Sequence, residues 1–139
     1  MRSKLLLYLA ILITCTTTSL HAQTIVVRDA QLRVIARMDG KTVRDDQNKL
    51  LGLIDGNTIR DGNLSVLGRM DGDALRDRSL SILVRMNGNS MVDNTGTHVA
   101  TFDRGRLYDR RGSVIARWDG TLTREQRFAF MAVFFRETE

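Results

Sequence analysis

Residues 42–57 read TVRDDQNKLLGLIDGN, residues 58–73 read TIRDGNLSVLGRMDGD, and residues 74–89 read ALRDRSLSILVRMNGN. Stacked at a period of sixteen, the three lines agree wherever a strand or a turn needs a particular chemistry. An Asp-Gly pair stands at Asp55-Gly56 and Asp71-Gly72, and again at Asp39-Gly40 and Asp119-Gly120, with Asn87-Gly88 and Asp103 filling the slots between. A second acidic comb, Asp29, Asp45, Asp61, Asp77, Asp93 and Asp109, keeps the same register and continues at Glu125. Arg28, Arg44, Arg60, Arg76 and Arg124 each precede one of those acids. A register held over most of the chain is the signature of a repeat array, whose units bury their apolar faces only against their neighbours.

The apolar residues fall into columns. Val27, Val43, Ile59, Leu75, Met91 and Leu107 form one; Val34, Leu50, Val66, Ile82 and Val114 form another, interrupted by His98; Met38, Ile54, Met70, Met86, Phe102 and Trp118 form a third, just before the acidic turn slot. Ile35, Leu51, Leu67, Leu83, Val99 and Ile115 form a fourth, expected to be equivalent buried positions of one core. A small column, Ala36, Gly52, Gly68, Ala100 and Ala116, is broken only by Val84.

Each unit reads as two short strands and two turns. In one of them Thr42 to Asp45 and Lys49 to Ile54 are strands, with Asp46-Gln47-Asn48 between them and Asp55-Gly56-Asn57 after. Asp-Gly between apolar runs is a hairpin signal, because Gly accepts positive φ and Asp tolerates it. Gly40, Gly56, Gly72 and Gly120 are therefore expected at positive φ, with Gly88 the structural glycine of the Asn-Gly slot. The chain has no proline, which suits ladders that need every N–H. The fold class is all-β: about six 16-residue hairpins closed into a rosette or barrel-like meander, with their columns pointing inward. One hairpin alone is marginal in water, and a linear β-solenoid, the rival, is built of regular coils rather than hairpins.

Repeats run to about residue 120, and a different pattern follows. Thr123-Arg124-Glu125-Gln126 reads as a capping box, and Phe128, Met131, Ala132 and Phe135 follow at helical spacing. A helix over about 124–136 is expected, its apolar face a lid on the β core. The alternation of Phe128, Phe130, Ala132 and Phe134 also allows a strand, and the aromatic stretch also allows a partner or membrane contact.

Arg2 and Lys4, the apolar run from Leu5 to Ile13 and the small residue Ala22 compose a signal peptide over 1–22, leaving 23–139 as a single domain. The apolar run is too short for a comfortable membrane span. Export to the periplasm or cell exterior is the expectation. Leu12-Ile13-Thr14-Cys15 offers lipidation at Cys15 as an alternative. Cleavage would remove Cys15, the only cysteine, and with it any disulfide. It would also lower the formal net charge from +5 to +3 by removing Arg2 and Lys4. Arg alternates with Asp rather than clustering, so no nucleic-acid partner is expected.

No GxSxG elbow, phosphate-cradling loop or HExxH occurs, and no catalytic residue and no cofactor are expected. His98, inside an apolar column, reads as packed or edge-exposed. The acidic combs read as turn formers and Arg partners, with each comb arginine expected to face an acid of the next hairpin. Functionally the chain reads as a non-catalytic structural or binding module, its partner a protein or glycan of the periplasm or cell surface. The alternative is calcium binding by turn loops, for which Asp45, Asp46, Asn48, Asp71 and Asp73 supply oxygen ligands; a hydrolase is less expected.

The signal peptide, sixteen-residue hairpins ending in Asp-Gly and Phe-rich tail together resemble the β-flower proteins. These are small exported proteins of Bacteroidota-type bacteria, built as four-fold or five-fold flowers of β-hairpins. The resemblance extends from Gln23 to the end of the chain. It implies a flower of hairpins, and it brings no activity and no catalytic residues to map.

Overall fold

The computed structural model describes residues 23–135, so the expected signal peptide, the Cys15 lipid site and Arg136 lie outside the described residues. Among those residues are twelve strands: β1 Ile25–Asp29, β2 Val34–Asp39, β3 Thr42–Arg44, β4 Leu50–Asp55, β5 Thr58–Asp61, β6 Val66–Asp71, β7 Ala74–Arg76, β8 Ile82–Asn87, β9 Ser90–Val92, β10 His98–Asp103, β11 Arg106–Tyr108 and β12 Val114–Trp118. A helix, α1 Arg124–Phe134, follows them. Each strand pairs antiparallel with its neighbours in sequence, and β1 pairs with β12 to close the barrel. Closure leaves no strand edge unpaired, which an array of short hairpins needs if it is to stay soluble.

Large residues face small ones across the ladder inside the barrel, except where Val84 breaks the small column. Val27 stands opposite Ala36, Val43 opposite Gly52, Ile59 opposite Gly68, Leu75 opposite Val84, Met91 opposite Ala100 and Leu107 opposite Ala116. The six large members of these pairs are at most 1 % exposed. Met38, Ile54, Phe102 and Trp118, two residues along on the same face, complete the buried layer, with Met70 and Met86 partly buried against it.

The Ile35 column departs from expectation. Each hairpin pairing slips by one residue where that column stands: Val27 pairs with Ala36 but Arg28 with Val34, and the same step omits Leu51, Leu67, Leu83, Val99 and Ile115. These residues are the extra members of β-bulges, which leave the ladder while the strand bends. Ile35, Leu51, Val99 and Ile115 are only partly buried and Leu67 is buried, but Leu83 is 41 % exposed. They are a ring at one mouth of the barrel rather than six equivalent core positions.

The two ends of the barrel differ. On the turn rim, Gly40-Lys41, Gly56-Asn57, Gly72-Asp73 and Gly88-Asn89 are two-residue loops, with the glycine at φ 56°, 60°, 58° and 61° and the second residue not positive. That is the pattern of type II′ turns, with Gly first. The preceding acid ends its strand in extended conformation, so Asp is not asked to tolerate positive φ as expected. Arg104-Gly105 is the exception: both are positive, at 50° and 76°, as in a type I′ turn. Gly120, at 94°, belongs to no hairpin and turns the chain toward α1.

The helix is not a lid. Phe128, Ala129, Phe130, Met131 and Ala132 are all at most 8 % exposed, and five consecutive buried residues cover every side of a helix. At its start, Gln126 donates to the Gly40 carbonyl (3.1 Å), Arg124 to Asp73 (3.2 Å) and Arg127 to Asn89 (3.4 Å). Those three turns lie round the rim, so the helix enters between them and runs down the inside of the barrel. Eleven residues rise about 16 Å, comparable with a six-residue strand of about 20 Å. The capping box forms as expected: Gln126 N donates to Thr123 Oγ1 (3.1 Å) and Thr123 N to Gln126 Oε1 (3.0 Å).

Candidate ligand cleft at the loop rim

The other mouth carries six five-residue loops, each begun by a comb acid. Asp29, Asp45, Asp61, Asp77, Asp93 and Asp109 all accept, through Oδ1, from the backbone N–H groups two and four residues on, at 2.8–3.0 Å. A carboxylate so used is a loop pin. The fourth loop residue is left-handed: Leu32, Asn48, Leu64 and Leu80 at φ 65–68°, then Gly96 and Gly112 at 83° and 81°. The loops are thus type I turns followed by a bulge residue.

The comb arginines also serve their own loops. Arg28, Arg44, Arg60 and Arg76 donate Nη1 to the carbonyls of Leu32, Asn48, Leu64 and Leu80 at 2.9–3.2 Å. Arg60 and Arg76 also pair through Nε with Asp55 (3.3 Å) and Asp71 (3.1 Å), acids of the turn slot. The expected ring of comb arginines facing comb acids does not form, because every comb acid is turned to its own backbone. The residues of the calcium reading belong to two separate loops at opposite ends of the barrel. Asp45, Asp46 and Asn48 lie on the loop rim, whereas Asp71 and Asp73 lie on the turn rim and pair with Arg76 and Arg124.

The helix packs to one side of the barrel, against β4, β5 and β6. Glycine permits this: a Cβ on Gly52 would sit 2.8 Å from Val133 Cγ2. Next to that wall, on the β6–β10 side where Val84 replaces the small residue, a cleft of about 600 Å³ opens at the loop rim. Leu67, Leu75, Met131 and Ala132 are buried residues of its lining, with Leu83, Val99 and Phe135 nearer the mouth. Arg78 and Arg110 flank it, held by Nε to the carbonyls of Val66 (3.2 Å) and His98 (3.1 Å). Asp77 and Asp93 also line it, but their Oδ1 atoms are committed to loop backbone. The Thr95 hydroxyl first, then the Thr97 N–H, hold the Asp93 carboxyl below the ordinary carboxylate range; the Thr95 N–H and the Arg110 charge add to this, against desolvation. At Asp29 desolvation acts upward, but hydrogen bonds from the Arg33 and Gln31 N–H groups and the Arg33 guanidinium outweigh it, and its carboxyl is also lowered.

Reading the sequence alone did not single out Arg78 and Arg110. Their slot holds Ala30, Asp46, Gly62 and Asn94 in the other units, so the departure from a short side chain was the available signal. His98 shares a 2.7 Å hydrogen bond with Thr101 Oγ1.

Fold and rims together define a closed up-and-down β-hairpin barrel plugged by its own C-terminal helix. The chain matches the family model of the five-fold β-flower proteins over residues 37–136, and it belongs to that family. Five two-residue hairpins on the turn rim fit that description, the sixth position round the barrel being the β1–β12 seam. Membership points to a small structural fold. No curated protein and no solved structure matches the chain.

Proposed function

We propose that the protein is an exported, non-catalytic binding module that takes an anionic amphiphile, a single apolar chain with a carboxylate head, into the loop-rim cleft. The observation that carries this reading is the cleft of about 600 Å³ between the helix and the β6–β10 side of the barrel. That volume suits a drug-sized or acyl ligand, and apolar walls with a few polar groups at the mouth are the usual composition of such sites. Arg78 and Arg110 give the mouth its donors, each anchored at Nε so that the fork is oriented before a ligand arrives.

The test is titration of the full chain with dodecanoate, read by calorimetry and by thermal melt, since a ligand of the folded state raises Tm. Saturable binding is expected, lost in Leu83→Glu, a substitution that the 41 % exposure of Leu83 lets the fold accept. Absence of binding, or binding unchanged in that variant, refutes the reading.

A further inference from the structure

The barrel seam carries a second feature, independent of the cleft. Arg106 on β11 stands directly opposite Arg117 on β12, and Arg117 directly opposite Arg28 on β1. The neighbours Val27, Leu107 and Ala116 are buried inside, so by strand alternation these three arginines face outward. They form a ladder of like charges spanning about 10 Å. Like charges directly opposed across a sheet destabilise it, so an unneutralised ladder calls for a compensating anion.

At one other opposed pair the compensation is built in. Arg69 opposes Arg76, but Arg76 is paired with Asp71. At the seam it is missing. Arg28 has Gln23 where Arg60 and Arg76 have Asp55 and Asp71, and its hydrogen bond goes to the Leu32 carbonyl. Among the described residues neither Arg28, Arg106 nor Arg117 has a carboxylate within ion-pair distance, and Arg117 Nε is buried without a hydrogen-bond partner. The nearest acid in register, Asp103, opposite Arg106, lies 3.9 Å from Arg104 instead. Arg106 is also a departure from the repeat, occupying the slot of Thr42, Thr58, Ala74 and Ser90. Arg37 and Arg44, opposed on β2 and β3, extend the basic wall.

We infer that the β11–β12–β1 seam is a binding surface for an anionic polysaccharide, whose carboxylate or sulfate groups lie along the arginine ladder. Planar guanidinium forks match such groups in two-point contacts. A nucleic acid is the poorer fit, since sequence-tolerant strand binding pairs basic grooves with rows of stacking aromatics, and Tyr108 is the aromatic side chain that strand alternation turns outward beside the ladder.

The full chain is titrated with polygalacturonate and with dextran sulfate at two salt concentrations, beside Arg106→Thr and, on β8 outside the seam, Arg85→Thr. Arg106→Thr restores the repeat's own residue, so it should fold and melt at or above the wild-type temperature. Salt-sensitive binding to at least one polysaccharide is expected, weakened about ten-fold or more by Arg106→Thr and less than about two-fold by Arg85→Thr. Equal loss in both variants would reduce the effect to diffuse charge and overturn the site. So would no binding at all, unchanged binding in Arg106→Thr, or a lower melt for that variant. Equal affinity for oligothymidylate of matched charge would overturn the assignment to polysaccharide.

Discussion

Gly52 and Val133 meet where the helix touches the wall of the barrel: a Cβ added to Gly52 would lie 2.8 Å from Val133 Cγ2 and 3.6 Å from the Arg60 carbonyl oxygen. Valine in a helix has essentially one χ1 rotamer, so it cannot swing aside. Gly52→Ala should therefore cost about 1–3 kcal/mol as overpacking does. Adding Val133→Ala should recover much of that loss, and a denaturant-based double-mutant cycle measures the coupling. Strictly additive losses would show that the contact does not set the helix position.

The bulge ring gives a contrast within one column. Leu67 is buried in the core, so Leu67→Ala should cost about 2–5 kcal/mol. Leu83, 41 % exposed at the cleft mouth, should cost less than about 1 kcal/mol in the same assay. Equal losses would contradict the placement of the bulges.

That column marks the limit of what the sequence discloses. Period sixteen, the two turn slots and the large–small columns were legible because each reports a local need: positive φ at Gly40, a loop pin at Asp45, space beside Val43. Closure into a barrel and the capping box at Thr123 were legible too. What was not legible depends on register. A bulge moves Ile35 out of the ladder without changing its apolar character, so composition cannot distinguish it from Val27. The helix's position inside the barrel depends on Gly52 and Gly68 lining β4 and β6 while Val84, two strands further on, fills the same slot with a larger side chain. Arg106 facing Arg117 is a pairing between strands, invisible until the register is known.

Leucine is an unexpected residue for the left-handed position of a loop. Leu64 sits at φ 66° and is 54 % exposed, so it pays the steric penalty of that region, of order 1–2 kcal/mol, while burying little. Leu64→Gly should raise stability, or leave it within about 0.5 kcal/mol once the added freedom of the unfolded chain is subtracted. Asp61→Ala, which removes the acceptor for Asn63 N and Ser65 N, should lower it by about 1–3 kcal/mol. Thermal and urea unfolding of the two variants decide this, and a destabilised Leu64→Gly would mean that the leucine makes a contact worth more than its strain.

The Asp93 loop makes the last prediction, in pH. Its Oδ1 accepts from the Thr95 hydroxyl at 2.7 Å as well as from the N–H groups of Thr95 and Thr97, at 2.9 Å each, and the hydroxyl is the largest influence lowering its pKa. A carboxyl lowered on folding contributes stability above its unfolded pKa, and that contribution is lost as pH falls through the folded pKa. Thr95→Val removes the hydroxyl while keeping the backbone donor, so the folded pKa should rise toward the ordinary carboxylate value. The variant should then be less stable than wild type at neutral pH, with the difference shrinking as both are acidified below the wild-type folded pKa. Thr95→Ser should restore the wild-type behaviour. Carboxyl ¹³C titration of Asp93 reads the shift directly, and an unchanged midpoint in Thr95→Val would show that the backbone of the loop, not the threonine hydroxyl, holds that charge.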